Sequence, residues 1–439
     1  MEPGKQRKKL LIITYYWPPA GGITVLRCLK LAKYIRKFGW EPIIYTVSNP
    51  SYQFTDTSND KDIPENIEIL RGKILDPTEM FKRISGRKKS EALVNITNIT
   101  DRKNSIIDKI GIWIRGNFFI PDARRLWIKP SVKYLSEYLQ EHPVDAIFTD
   151  GPPHTNTVIG LRLSARFNIP WLADFQDPWT QVDYYKQMMI GKRAHKVHSR
   201  LEQEVFKTAD KITIASPTWK KELESIGAKN VSVFYYGFDE EEFKTYAKKE
   251  NPVFKIFHGG LLGDDRNPEI LFEVISDIIK EDPSWQKLIS IELAGQIDHK
   301  VKNSISNYGL NENTKYLGQL TRPQVFKNYE DSALLLLPIN KADNAAGRMP
   351  GKLYEYLRAQ TPILVFGPEN GDVKNIVESK QLGRSFPYDV DKLILKEYLL
   401  SILKQHDKNK ITTLNVDVSE FSNEAQTKKI AQYLDEITT

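Results

Sequence analysis

Short apolar runs alternate with longer stretches of helical period along most of this chain. Residues 10–15, 43–47, 67–70, 146–149, 171–174, 212–215 and 231–235 read as strands. Between several of them, residues 24–38, 156–167 and 193–208 read as helices. One further helix is framed at both ends, with Ser216 as N-cap, Pro217 at the first helical position and Gly227 just past the end. Such alternation predicts parallel sheets covered on both faces. The charged stretch 240–252 reads as a linker, and the pattern then restarts with strands at 254–257, 289–294, 315–317, 333–337 and 363–366. The expected architecture is α/β, with two Rossmann-like doubly wound parallel-sheet domains facing a cleft. Their expected bounds are 1–245 and 252–415, with a closing helix in 416–439 that crosses back onto the first domain.

The length of 439 residues agrees with two to three domains, and 40% hydrophobic with 27% charged residues describes a globular chain. Cys28 is the single cysteine, so neither an intrachain disulfide nor a cysteine zinc site is expected. The basic start followed by residues 10–16 is too short for a signal peptide and stops at Trp17-Pro18-Pro19. No apolar run approaches the roughly 20 residues that cross a bilayer. The expectation is a cytoplasmic protein.

Charge adds one local feature. From Lys82 to Lys133 there are 13 Lys/Arg against 4 Asp/Glu, a local +9 of the net +7, which leaves the remainder near −2. Ile110, Trp113, Ile114, Phe118 and Trp127 are interleaved with these cations. Segment 78–133 therefore reads as a basic insertion packed on the first domain. The other reading is a patch for the inner face of an anionic membrane or for a lipid-linked acceptor. Nucleic acid is not expected, because no recognised binding motif accompanies the charge.

Four stretches carry candidate chemistry. Gly21 and Gly22 lie between the first strand and its helix, where backbone can approach a phosphate at a helix N-terminus. The spacing is not the dinucleotide G-x-G-x-x-G, so NAD is not inferred. Gly259 and Gly260 end a strand, and Arg266-Asn267-Pro268 follows, with Asn267 expected as N-cap and Pro268 at the first helical position. Arg266 can clamp a diphosphate there. In Gly347-Arg348-Met349-Pro350-Gly351-Lys352-Leu353-Tyr354-Glu355, Pro350 marks a helix start and Lys352 and Glu355 share a face. A carboxylate there suits ribose hydroxyls, and an ammonium suits phosphate. In the first domain, Asp174, Asp177 and His154 follow strands. Asp174 could orient a sugar hydroxyl or take an acceptor proton. Asp389-Val390-Asp391 is too common a pattern to carry a metal site, and no metal or cofactor is expected.

Taken together, these stretches resemble the GT-B glycosyltransferases of family 4 (GT4), bacterial members above all. The resemblance rests on Tyr15-Tyr16-Trp17-Pro18-Pro19-Ala20-Gly21-Gly22, Thr149-Asp150-Gly151-Pro152-Pro153-His154 and Ala173-Asp174-Phe175-Gln176-Asp177-Pro178-Trp179. It rests equally on Gly259-Gly260-Leu261 with Arg266-Asn267-Pro268, and on Gly351-Lys352-Leu353-Tyr354-Glu355-Tyr356-Leu357. It covers nearly the whole chain, and Gln426-Thr427-Lys428-Lys429 resembles the family's last helix. It implies a nucleotide-sugar donor, a glycan or lipid-linked acceptor and retention of anomeric configuration, in polysaccharide biosynthesis. It also implies donor contacts from Gly21, Gly22, Arg266 and Glu355. Two positions depart from the family. Gly260 replaces the first of its basic pair, and Gly347 replaces the first of its paired glutamates, where Arg348 or a backbone N–H is the expected substitute. A nucleotide-sugar 2-epimerase, a hydrolase or a non-catalytic glycan-binding scaffold stay open beside the transferase reading.

Overall fold

The computed structural model describes residues 7–52, 54–75, 106–409 and 413–439. It divides into two compact units: one runs to Tyr236 and takes back Asn423–Thr439, and the other is Gly237–Ser422.

The first unit holds strands β1 (Lys8–Ile13), β2 (Trp40–Val47), β3 (Glu68–Gly72), β4 (Ala146–Gly151), β5 (Trp171–Phe175), β6 (Lys211–Ile214) and β7 (Val231–Val233). They form one seven-stranded sheet in the order β3-β2-β1-β4-β5-β6-β7, every pair parallel. The two-residue period of β1 splits its side chains between two cores. Leu11 and Ile13 pack with Tyr45, Trp127, Ile147 and Trp171. Leu10 and Ile12 pack with Leu29 of the helix Ile23–Ile35 and with Ile430 and Leu434 of the closing helix Asn423–Ile437. Four consecutive apolar residues, all without exposed surface, are what a central parallel strand requires. The order reverses between β1 and β4, the switch point beside which open α/β sheets bind ligands.

The second unit repeats the design with β8 (Phe254–Gly259), β9 (Ile289–Ala294), β10 (Thr314–Gly318), β11 (Leu334–Pro338), β12 (Ile363–Phe366) and β13 (Gly383–Phe386), in the order β10-β9-β8-β11-β12-β13. All of its pairs are parallel. The sequence pattern misses β13, because Gly383-Arg384-Ser385-Phe386 is an edge strand with one apolar side chain. A Cβ on Gly383 would lie 1.9 Å from the Ile363 carbonyl oxygen, so only glycine lets this strand reach β12.

The helix Pro217–Ser225 is built as expected: Ser216 accepts from the Trp219 N–H at 3.3 Å, and Gly227 has φ +106. Such a cap is worth about 1 kcal/mol. Two local expectations are corrected. Stretch 240–252 is folded into the second unit: Phe243 is buried, and the Lys248 ammonium donates to the Ser332 carbonyl and to Thr361 Oγ1. Asn267 does not cap its helix. Pro268 takes the cap position of Glu269–Glu281, while Asn267 donates to Ser304 Oγ at 2.9 Å. Of the basic segment 78–133, residues 78–105 lie outside the described residues. The remainder includes the helix Ile106–Phe118 and the start of Ile128–Glu141. Among the described residues, no helix is long and apolar enough to cross a membrane.

Candidate functional site

In the second unit the site is built from the C-terminal ends of β8 and β11 and the helix Lys352–Ala359. β8 ends on Gly259, whose N–H points to the Tyr356 hydroxyl at 3.3 Å. Gly260 follows at φ +132, held by its N–H to the Ala294 carbonyl. A Cβ on Gly260 would stand 2.5 Å from Lys352 Nζ, so this glycine makes room for the ammonium. Lys352 opens its helix behind Gly351, and no side chain caps that N-terminus. The Leu353 and Tyr354 N–H groups bond back to the Pro350 and Gly351 carbonyls at 3.0 and 3.3 Å, so what this helix start offers an anion is chiefly the Lys352 ammonium.

Lys352 is half-buried and makes no ion pair or hydrogen bond among the described residues. Burial, then the charge of Arg266, lowers its pKa to about 8, with Glu355 pulling the other way. Arg266 ends a 3-10 turn and is held by Asp265 at 2.8 and 3.1 Å. The Asp265 carbonyl accepts from the Lys341 N–H at 2.8 Å, which ties this turn to the loop after β11. Lys352 thus carries a positive charge within reach of Arg266, and an added anion at Lys352 would relieve that repulsion.

Glu355 is already engaged. Arg322 donates to Oε1 at 2.5 Å and the Tyr329 hydroxyl to Oε2 at 2.8 Å, while Arg322 also pairs with Glu242. Burial alone would lower the Arg322 pKa, but Glu355 and Glu242 outweigh it and raise it. Each Glu355 oxygen has one lone pair left to accept from a hydroxyl. Gly347 closes a 3-10 turn, and half-buried Arg348 follows, its N–H bonded to the Ala345 carbonyl. The same turn begins at Asn344, a residue 8% exposed whose amide has neither its nitrogen nor its oxygen bonded among the described residues. Sequence reading missed both Asn344 and Arg322. No spacing in the chain marks Arg322, and only burial distinguishes Asn344 from an ordinary turn residue. A cavity of about 850 Å³ in this unit lies instead against β13, and neither Arg266 nor Lys352 lines it.

In the first unit, Gly22 is the N-cap of Ile23–Ile35 at φ +88. Gly21 lies under Phe54, whose ring a Cβ there would meet at 2.1 Å. Asp174, on β5, has no exposed surface. Arg27 pairs with both of its oxygens, and Thr213 Oγ1 donates to Oδ1 at 2.7 Å. This carboxylate is an anchor between sheet and helix and has no open face for an acceptor. Asp150, one strand over, is also fully buried. It accepts from Thr14, Asn156 and Gln176, and burial, then Asp174, raises its pKa to about 7. His154 opens the helix His154–Phe167 and stacks on Trp179 with ring centroids 4.4 Å apart. Burial lowers its pKa to about 3, which keeps the imidazole neutral. The N-terminus of that helix is taken up by Asp122, which accepts from the Thr155 N–H and hydroxyl at 2.8 Å. Asp177 is half-buried and lies electrostatically close to Tyr184 and Tyr236.

Comparison with known proteins identifies the fold. No family model and no curated protein sequence matches the chain. Solved structures do, over nearly their whole length. The N-terminal domain of a trehalose-6-phosphate phosphatase from Candida albicans aligns at TM-score 0.62 and 13% identity, covering 99% of this chain and 98% of that one. A lipopolysaccharide outer core galactosyltransferase, WaaB, aligns at 0.56 and 11%, covering 98% and 99%. Sucrose-phosphate synthase from Thermosynechococcus elongatus aligns at 0.56 and 13%, covering 98% and 96%. The two parallel-sheet α/β units are those of the GT-B fold.

Proposed function

We propose that this protein is a glycosyltransferase of the family 4 kind, moving a sugar from a nucleoside-diphosphate sugar to a glycan or lipid-linked acceptor in polysaccharide biosynthesis. The observation that carries the reading is the Lys352 ammonium, without an ion pair or hydrogen bond among the described residues, within electrostatic reach of Arg266 at the start of its helix. That arrangement suits a diphosphate, which brings two or more negative charges and an array of acceptor oxygens. It also suits chemistry in which the same diphosphate departs. Fixed cations stabilise the charge that develops on the leaving group, with no reorganisation at the moment of reaction. On this reading the two cations supply the charge that a divalent metal would otherwise bring.

The remaining roles follow from exposure and partners. Glu355, oriented by Arg322 and Tyr329, accepts from ribose hydroxyls. Asn344 offers one donor and one acceptor to the transferred sugar, in place of the glutamate that Gly347 replaces. Arg348 and the backbone at Gly259 and Gly351 line the donor. On the acceptor side, Asp177 is the half-buried carboxylate after β5, and neutral His154 opens the helix after β4. In the first unit, the turn Gly21-Gly22 is a candidate for backbone contact with phosphate, through Gly22 at the start of Ile23–Ile35. Retention of anomeric configuration, and contact of Ile110, Trp113, Ile114 and Phe118 with an anionic membrane surface, belong to the same proposal. These four side chains are 51, 44, 38 and 56% exposed.

The test is a panel of UDP-, GDP-, ADP-, CMP- and dTDP-sugars, read by thermal shift and by nucleotide release, with Lys352→Met alongside. One base should raise the melting point, and the variant should lose that rise. Stabilisation by none of them would leave the non-catalytic scaffold as the better reading. Epimerised or hydrolysed sugar without an acceptor would replace transfer with one of the other activities.

A further inference from the structure

The helices Ile128–Glu141 and His154–Phe167 of the first unit pack side by side, and a groove of about 310 Å³ runs between them. Lys129 and Lys133 line it from one helix, Arg162 and Arg166 from the other. Each pair is spaced i, i+4, which stacks like charges on one helical face and is unfavourable on its own. None of the four forms an ion pair among the described residues. Elsewhere in this unit, exposed helical cations do pair at that spacing, Arg200 with Glu204 at 2.9 Å and Lys220 with Glu224 at 2.6 Å. Glu137 lies in the groove four residues beyond Lys133 and makes no such pair among the described residues.

A second observation is independent of charge. Ser136 lines the same groove, is 4% exposed, and its hydroxyl has no hydrogen-bond partner among the described residues. A helical serine commonly returns its proton to the carbonyl one turn back. Here that donor is left over, and a buried donor left unsatisfied is costly. What answers both observations is a compact anion with several acceptor oxygens. Guanidinium forks take such a group in bidentate fashion, ammonium groups as point charges, and a hydroxyl adds one further bond. The groove is separate from the strand-end residues, because Arg162 and Arg166 lie roughly 12–18 Å along the helix from His154.

We propose that the groove between these two helices is a phosphate-binding site, held by Lys129, Lys133, Arg162, Arg166 and the Ser136 hydroxyl. The phosphate is carried either on a lipid headgroup or on a soluble phosphorylated molecule.

The full chain is titrated at low ionic strength with inorganic phosphate and with glycerol phosphate. In parallel it is sedimented with vesicles of phosphatidylcholine alone or enriched in phosphatidylglycerol. The Arg162→Gln/Arg166→Gln variant, altered at two exposed positions, should bind at least about tenfold more weakly with an unchanged melting temperature. Ser136→Ala should weaken binding severalfold at unchanged net charge, an effect that a diffuse basic surface would not show. Sedimentation with phosphatidylglycerol vesicles that the variants lose assigns the site to lipid headgroups. Glycerol phosphate binding without sedimentation assigns it to a soluble ligand. Binding of neither probe, or binding that the variants leave unchanged, overturns the proposal. Should the arginine variant unfold early, Lys129→Gln/Lys133→Gln tests the same groove from the other helix.

Discussion

A side-chain carbon placed on Gly260 would stand 2.5 Å from the Lys352 ammonium, and Gly260 itself holds φ +132. The glycine therefore serves the lysine twice, by leaving space and by turning the backbone. Gly260→Ala meets a flexible side chain end, so Lys352 moves aside at little steric cost. The backbone conformation costs about 1–3 kcal/mol more. The expected outcome is a melting point a few degrees lower and nucleotide-diphosphate binding weakened by at least about tenfold. Calorimetric titration checks it. Unchanged affinity would mean that Lys352 does not meet the diphosphate.

Lys352 also sets a pH dependence. Its folded pKa lies near 8, below the ordinary 10.5, because it is buried next to Arg266. Between these values the unfolded chain binds more protons, so the ligand-free protein gains stability as pH rises from 8 towards 10.5. Diphosphate binding runs the other way, since it needs the charged ammonium. Affinity should hold below pH 8 and fall by up to about tenfold per pH unit above it. In Lys352→Met that slope should vanish, which a titration series across pH reads directly.

The Arg27–Asp174 pair has no exposed surface on either side chain. Asp174→Asn leaves a guanidinium buried among Phe234 and Tyr236 without its counter-charge. The expected loss is about 3–5 kcal/mol, measured by urea unfolding. Replacing both partners, as in Arg27→Met/Asp174→Leu, should recover most of it. An Asp174→Asn variant of wild-type stability but without activity would instead return Asp174 to a catalytic role.

Asp150 predicts the opposite pH trend to Lys352. Its pKa is raised from 3.8 to about 7 by burial and then by Asp174. The folded state therefore holds a proton that the unfolded chain releases. Stability declines as pH rises from about 4 to 7, by on the order of 3–4 kcal/mol, and levels off above. Asp150→Asn should flatten melting temperature across that window. A variant with the same slope as the parent would place the titration elsewhere.

By itself the sequence determined the class of architecture. Runs such as Leu10–Ile13 are buried on both faces, and only a central parallel strand between helices needs that pattern. Ser216, Pro217 and Gly227 fixed a helix locally, because caps act within one turn. Gly260, Arg266 and Lys352 were legible as candidates, since glycine turns and cations at helix starts have local signatures. The edge strand β13 was not legible, because pairing with β12 rather than hydrophobic period makes it a strand. Nor was the state of each carboxylate. Asp174, Asp177 and Glu355 look alike in sequence. Tertiary structure gives Asp174 to Arg27 and Glu355 to Arg322 and Tyr329, while Asp177 stays half-buried. Partners 33 and 147 residues away meet only after the sheet orders. Burial and charge at the meeting point, which set what a side chain can do, are properties of that assembled neighbourhood.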